Sequence, residues 1–205
     1  MRTQTKELQS QLTPAKALEI LKEGNKRFVN NLKANRNLLQ QVNDTAEGQF
    51  PFAAILSCID SRTSAELIFD QGLGDVFSIR IAGNFVNEDI LGSMEFACKA
   101  AGSKLVVVLG HNHCGAVKGA CDDVKLGNLT ALLAKIRPAV EATKESGDRT
   151  SANPDFVQAV AEFNVQKAMD DVRSRSPILK EMEDAGDITI VGGMYDVETG
   201  EVKFY

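Results

Sequence analysis

The sequence predicts an α/β fold: a single domain with a mainly parallel central sheet flanked by helices and an antiparallel edge strand at the C-terminus. Three observations carry this. Short apolar runs at Phe52 to Leu56, Asp75 to Ile79, Lys104 to Leu109 and Ile188 to Val191 have the length and composition of strands. Segments of helical periodicity separate them, and strands alternating with helices favour parallel pairing. The last segment differs, because Tyr195–Val197 and Glu201–Phe204 flank Glu198-Thr199-Gly200 as a hairpin.

The totals agree with one domain over residues 1–205. A chain of 205 residues with 43% apolar and 25% charged residues suits one globular core. The net charge is −5 and no basic run stands out, which argues against a nucleic-acid or anionic-membrane partner. The stretch from Met1 to Glu7 lacks the apolar core of a signal peptide, and no apolar run approaches membrane-spanning length. A cytoplasmic protein is expected. Four cysteines do not form a recognisable disulfide framework, so they are expected to be reduced.

In chain order, residues 1–35 are read as an N-terminal helical arm. Residues 1–12 are polar and read as an irregular lead-in. Thr13-Pro14 is a helix start, a capping hydroxyl followed by proline. Leu18, Leu21, Phe28, Val29 and Leu32 then recur at helical spacing, with the helix running to Asn30. Asn35 to Gly48 is polar and reads as a loop. Ser64 to Gln71 reads as a short helix, and Arg80 to Asn84 as the turn that closes the second strand. Glu88 to Ala101 carries Ile90, Leu91, Met94 and Cys98 on one helical stripe, which places Cys98 in the core. Ala116 to Cys121 is a short helix with Cys121 structural. Gly127 to Lys144 is helical with an interruption near Pro138, and Glu145 to Asn153 is a polar loop. Pro154 to Arg175 is a long amphipathic helix, followed by a short one from Ile178 to Asp184.

The chemistry gathers at two strand ends. The first strand breaks off into Cys58-Ile59-Asp60-Ser61-Arg62, whose alternating Cys58, Asp60 and Arg62 would project to one side in extended backbone. The third strand is followed by Gly110-His111-Asn112-His113-Cys114-Gly115. In a parallel sheet, residues just past strand C-termini line the ligand crevice. A catalytic zinc takes three protein ligands and keeps one position open, and Cys58, His111 and Cys114 supply such a set. His113 is a rival to His111, but its adjacency to Cys114 makes simultaneous binding awkward. No Cys-x-x-Cys pair is present, which removes the usual mark of a thiol redox protein.

Three blocks, Cys58-x-Asp60-Ser61-Arg62, Arg80-x-Ala82-Gly83-Asn84 and His111-x-x-Cys114-Gly115, resemble the beta-class carbonic anhydrases. The likeness runs from the Ala17-to-Asn30 helix to the Gly192-Gly193 strand. It implies one Zn2+ per chain and reversible hydration of carbon dioxide to bicarbonate and a proton, by zinc-bound hydroxide oriented by an Asp60–Arg62 dyad. Asp60 has two readings, a fourth zinc ligand in a closed state or a hydrogen-bond acceptor in an open one. The resemblance also implies pocket roles for Gln49, Phe77 and Ala82. A backbone N–H of Gly115 is expected near the metal, facing either bicarbonate oxygen or the Cys114 sulfur. Phe96 stands where many plant-type members carry tyrosine. Ser57, rather than glycine, precedes the first cysteine, which looks like the type without an inhibitory bicarbonate site. A homodimer or homotetramer is implied, with the N-terminal region on a second subunit; the alternative is packing on its own sheet. Two rival functions share these residues: hydrolysis of carbon disulfide or carbonyl sulfide, and a zinc-stabilised binding protein without turnover.

Overall fold

Among the described residues, 3–205 of a computed structural model, five strands form one sheet. They are β1 (Ala53–Ser57), β2 (Val76–Arg80), β3 (Leu105–His111), β4 (Thr189–Tyr195) and β5 (Val202–Phe204). Their order is β2-β1-β3-β4-β5; the first four run parallel, and β5 pairs antiparallel with β4. β1 and β3 are buried along their whole length, which is why both read as unbroken apolar runs. The chain leaves β1 for β2 on one side and returns to β3 on the other. The crevice beyond β1 and β3 is therefore the point where the strand order reverses.

The helices are α1 (Lys6–Gln11), α2 (Pro14–Val29), α3 (Leu38–Asp44), α4 (Ala65–Ile68), α5 (Glu88–Glu95), α6 (Gly115–Cys121), α7 (Gly127–Leu133), α8 (Arg137–Ala142), α9 (Pro154–Arg175) and α10 (Pro177–Asp184). A wider π-helical turn, Phe96–Ala100, continues α5. Side chains alternate across the sheet and divide the core in two. Leu56, Val106 and Val108 face α9, with its Phe156, Val160, Val165 and Val172. Ile55, Leu105, Val107 and Leu109 face the other way, toward Ala17 and Leu21 of α2 and Ile68 of α4. Within the chain α2 packs on its own sheet through Ala17 and Leu21, and leaves Val29 exposed with Leu32 just beyond it. Cys98 lies in the first of these cores, and burial pushes its thiol pKa up to about 12.

Three expectations are corrected. The supposed lead-in contains α1, capped by Thr5, whose hydroxyl accepts from the Leu8 amide at 3.3 Å. Gln9 docks this helix by donating to the carbonyls of Pro51 and Ala101, each at 2.8 Å. That anchor is polar, so no apolar periodicity marks it. Met1 and Arg2 of the N-terminal arm lie outside the described residues. The supposed loop before β1 holds α3, capped by Asn37 and anchored by buried Gln41, which accepts from the Leu73 amide at 3.2 Å. Finally, Ile188–Val191 and Tyr195–Val197 are not separate strands, because β4 runs through Gly192-Gly193. A side chain at Gly192 would lie 2.9 Å from atoms of Val165 and Met169, so glycine there lets α9 close onto the sheet rather than ending the strand.

Candidate metal centre

Strand register sets the site. Ser57 pairs with Leu109, so Cys58, one residue past β1, emerges beside the end of β3, where His111 is the last strand residue. Cys114 follows as the residue that caps α6. The donor atoms of Cys58, His111 and Cys114 all lie within 4.8 Å of one another, and all three side chains are buried. The two sulfurs are 3.9 Å apart. Bond lengths of about 2.3 Å on a tetrahedral zinc would separate two thiolates by about 3.8 Å. The spacing fits a shared ion.

His111 supports the same conclusion. Its Nδ1 lies 2.7 Å from the Asn112 carbonyl oxygen, to which it donates, which leaves the Nε2 lone pair free. That Nε2 is buried without any hydrogen-bond partner. An unpaired buried nitrogen is costly unless something else occupies its lone pair. Asn112 is itself clamped: its amide donates to Asp196 at 3.0 Å, and its side-chain oxygen accepts from the Val197 amide at 2.8 Å. His113 is not part of the cluster. It is exposed, lies in the left-handed region at φ 54°, and its Nε2 meets Glu198 at 3.1 Å.

The sulfurs behave as a pair. The neighbouring Cys114 thiol and the Gly83 amide lower the Cys58 pKa well below the ordinary thiol range, while burial opposes them. The same neighbour and burial push Cys114 upward. The shifts oppose each other because the two thiols interact, and a cation bound between them would displace their protons. Gly83 donates its N–H to the Cys58 sulfur at 3.4 Å. It does so at φ 78°, and an added Cβ would stand 2.3 Å from Ile136, so only glycine fits this turn.

Asp60 and Arg62 form a two-bond fork, Nε to Oδ1 at 2.9 Å and Nη2 to Oδ2 at 2.8 Å. The guanidinium holds the Asp60 carboxyl well below the usual carboxylate range. These residues do not converge by extended alternation as expected. Asp60 Oδ1 also accepts from the Arg62 backbone N–H at 2.9 Å, an Asx-type turn that folds the segment back on itself. Thr63 and Arg80 tie this turn down. The Thr63 hydroxyl donates to the carbonyls of Cys58 and Asp60 at 3.0 and 2.9 Å, and Arg80 donates to the same two at 2.9 and 2.6 Å. Both carboxylate oxygens of Asp60 are engaged by Arg62, and Asp60 stands outside the three-residue donor cluster.

The pocket residues are more dispersed. Gly115 is exposed with open space where a side chain would stand, directly beside Cys114. Ala82 is half-buried next to Gly83. Phe77 pairs in register with Ala54, four residues before Cys58, and its ring makes an edge contact with exposed Phe96 at 6.1 Å. Gln49 is exposed on the segment entering β1, at the opposite end of that strand from Cys58. Gln49 and Phe77 thus lie toward the end of β1 away from the Cys58, His111 and Cys114 cluster. Thr63, Asn112 and Asn164 escaped sequence reasoning. Their polar side chains act on backbone carbonyls and amides, a role that leaves no spacing pattern.

Comparison with known proteins agrees with this geometry. The carbonic anhydrase family model matches residues 53–202. Carbonic anhydrase 2 of Mycobacterium tuberculosis is 36% identical over 195 residues, 91% of this chain and 90% of that protein. The carbonic anhydrase of Mycolicibacterium smegmatis is 33% identical over 200 residues, 93% of this chain and 92% of that one. The crystal structure of the beta-carbonic anhydrase CafA of Aspergillus fumigatus has a TM-score of 0.72 at 28% identity, covering 93% of this chain and 89% of that one. On the matched family model, these relatives and the shared fold, the chain belongs to the beta class of the carbonic anhydrase family, whose members are lyases.

Proposed function

We propose that the chain hydrates carbon dioxide reversibly at a zinc ion held by Cys58, His111 and Cys114. The observation that carries this is the convergence of two buried sulfurs and an unpartnered His111 Nε2 on one point. Two thiolates and one imidazole are a donor set suited to zinc, and three protein ligands leave the fourth position for solvent. When bound, zinc supplies Lewis acidity that makes hydroxide available near neutral pH. The remaining work falls to side chains. Asp60 stays ionised and in one orientation because Arg62 fills both its oxygens with parallel bonds. Held this way, Asp60 would use a remaining lone pair to accept a hydrogen bond from water or hydroxide at the fourth position and so orient it. Its engagement by Arg62 supports the open state, with Asp60 off the metal. Gly115 has open space beside Cys114, and its N–H would donate a hydrogen bond either to a bicarbonate oxygen there or to the Cys114 sulfur.

The position of Gln49 supports an oligomer in which this amide serves a neighbouring copy's pocket. Exposed Ile59, Leu67 and Phe96 provide apolar surface for a homodimer or homotetramer. No helix among the described residues is long and apolar enough to cross a membrane. Stopped-flow carbon dioxide hydration on zinc-loaded protein, with Cys58→Ala as control, tests the reading. Fast turnover that vanishes in the variant is expected. One tightly held zinc without turnover would favour the sulfur-substrate hydrolase or the binding protein instead.

A further inference from the structure

Asn164 is an amide in the middle of a 22-residue helix, on a stripe otherwise made of Val157, Val160, Ala161, Val165 and Ala168. It is buried, with 2% of its surface exposed. Polar side chains in such a position are kept by a partner. The partner is the carbonyl of Gly83, which accepts from Asn164 Nδ2 at 2.8 Å across 81 residues of sequence. Gly83 in turn directs its own N–H at the Cys58 sulfur. The next residue of the helix, Val165, presses on the other half of the centre, because a Cβ on Gly110 would stand 2.5 Å from Val165 Cγ2, directly before His111. One turn of α9 therefore touches the Cys58 side through Asn164 and the His111 side through Val165.

We propose that Asn164 is a positioning residue of the metal centre, holding the Gly83 carbonyl so that the Arg80–Asn84 turn presents its N–H to the Cys58 sulfur. This rests on the metal-centre reading above. The bond to sulfur withdraws charge from the thiolate and fixes its direction, so that Cys58 meets the ion already oriented. Asn164 acts through this turn and touches no reacting atom. Partners behind the direct ligands commonly contribute 10–100-fold to metal affinity.

The test compares Asn164→Leu, which fills the volume without a donor, with Val172→Ala, a core truncation about 12 Å further along the same helix. In Asn164→Leu the Gly83 amide should exchange faster with solvent in metal-free protein. The zinc dissociation constant from chelator competition should rise about 10–100-fold. In the cobalt-substituted protein the sulfur-to-metal charge-transfer band should move to lower energy, because the thiolate loses a hydrogen bond. Val172→Ala should lose stability without any of these changes. If Asn164→Leu does not fold, Asn164→Ala carries the same comparison. Unchanged Gly83 protection, or equal loss of zinc affinity in Val172→Ala, overturns the proposal. Failure of the wild-type protein to bind zinc would remove the metal-centre reading instead, and the Gly83 exchange in metal-free protein separates the two failures.

Discussion

Cys58 Sγ lies 3.9 Å from Cys114 Sγ across 56 residues of sequence, brought there by the parallel pairing of β1 with β3. A cation held between them would take both as ligands. Ligand binding to the native state alone stabilises it by about 2.7 kcal/mol at a hundredfold excess over Kd. For a domain of this size that raises Tm by roughly 5–10 °C. Zinc addition to metal-free wild type should produce this shift in a calorimetric scan. Cys58→Ala, Cys114→Ala and His111→Ala should each abolish it. A variant that kept the full shift would not be losing a ligand.

Asp60 separates metal binding from turnover. Its carboxylate is tied to Arg62 and stands outside the donor cluster. Asp60→Asn should retain one zinc per chain by elemental analysis while losing carbon dioxide hydration by about 100-fold or more, the range for a positioned proton-handling group. Arg62→Lys keeps the charge but loses the planar fork, so an intermediate loss is expected. Loss of zinc from Asp60→Asn would make Asp60 a required ligand.

Most of the site was legible in the sequence because a strand followed by chemistry-bearing residues is a local pattern. The apolar runs before Cys58 and His111 located both strand ends, and His-x-x-Cys paired naturally with a distant cysteine. The supporting residues were not legible, for one physical reason: Gln9, Gln41, Asn112 and Asn164 anchor the chain through polar side-chain contacts with groups distant in sequence. Such contacts depend on tertiary proximity and have no period. The Asp60 turn was misread as extended because alternation of residue types is compatible with either backbone; the Asp60 oxygen bonding the Arg62 amide decides between them.

Two thiolates and one imidazole place more negative charge on a metal than three imidazoles do. In the three-histidine carbonic anhydrase site bound water titrates near 7. The midpoint here should be higher, so turnover should climb from about neutral to mildly alkaline pH. Stopped-flow rates across this range check it, with the zinc content confirmed at each end. A flat profile would count against a two-thiolate site.

Asp70 makes the clearest prediction about stability. Its side chain is 8% exposed and accepts from Arg27 Nε and Arg36 Nη1, each at 2.5 Å, and from the Ala34 amide at 3.1 Å. These bonds fasten the segment between α2 and α3 to the end of α4. Burial by itself would raise the Asp70 pKa, but the two guanidinium groups outweigh it and the carboxyl is held below its ordinary value. A lowered carboxyl pKa contributes stability that is present above the unfolded value, near 3.9, and is lost as pH falls through the folded value. Asp70→Asn leaves Arg36, with 6% of its side chain exposed, facing a neutral amide. Removing one partner of a buried pair typically costs about 3–5 kcal/mol. Urea unfolding at neutral pH should show a loss of that order in Asp70→Asn. The gap to wild type should begin to narrow below the unfolded value near 3.9, where the unfolded chain takes up the proton, and close as pH falls through the lower folded value. A gap that stayed constant through this range would mean that packing at Asp70, not its charge, holds the segment.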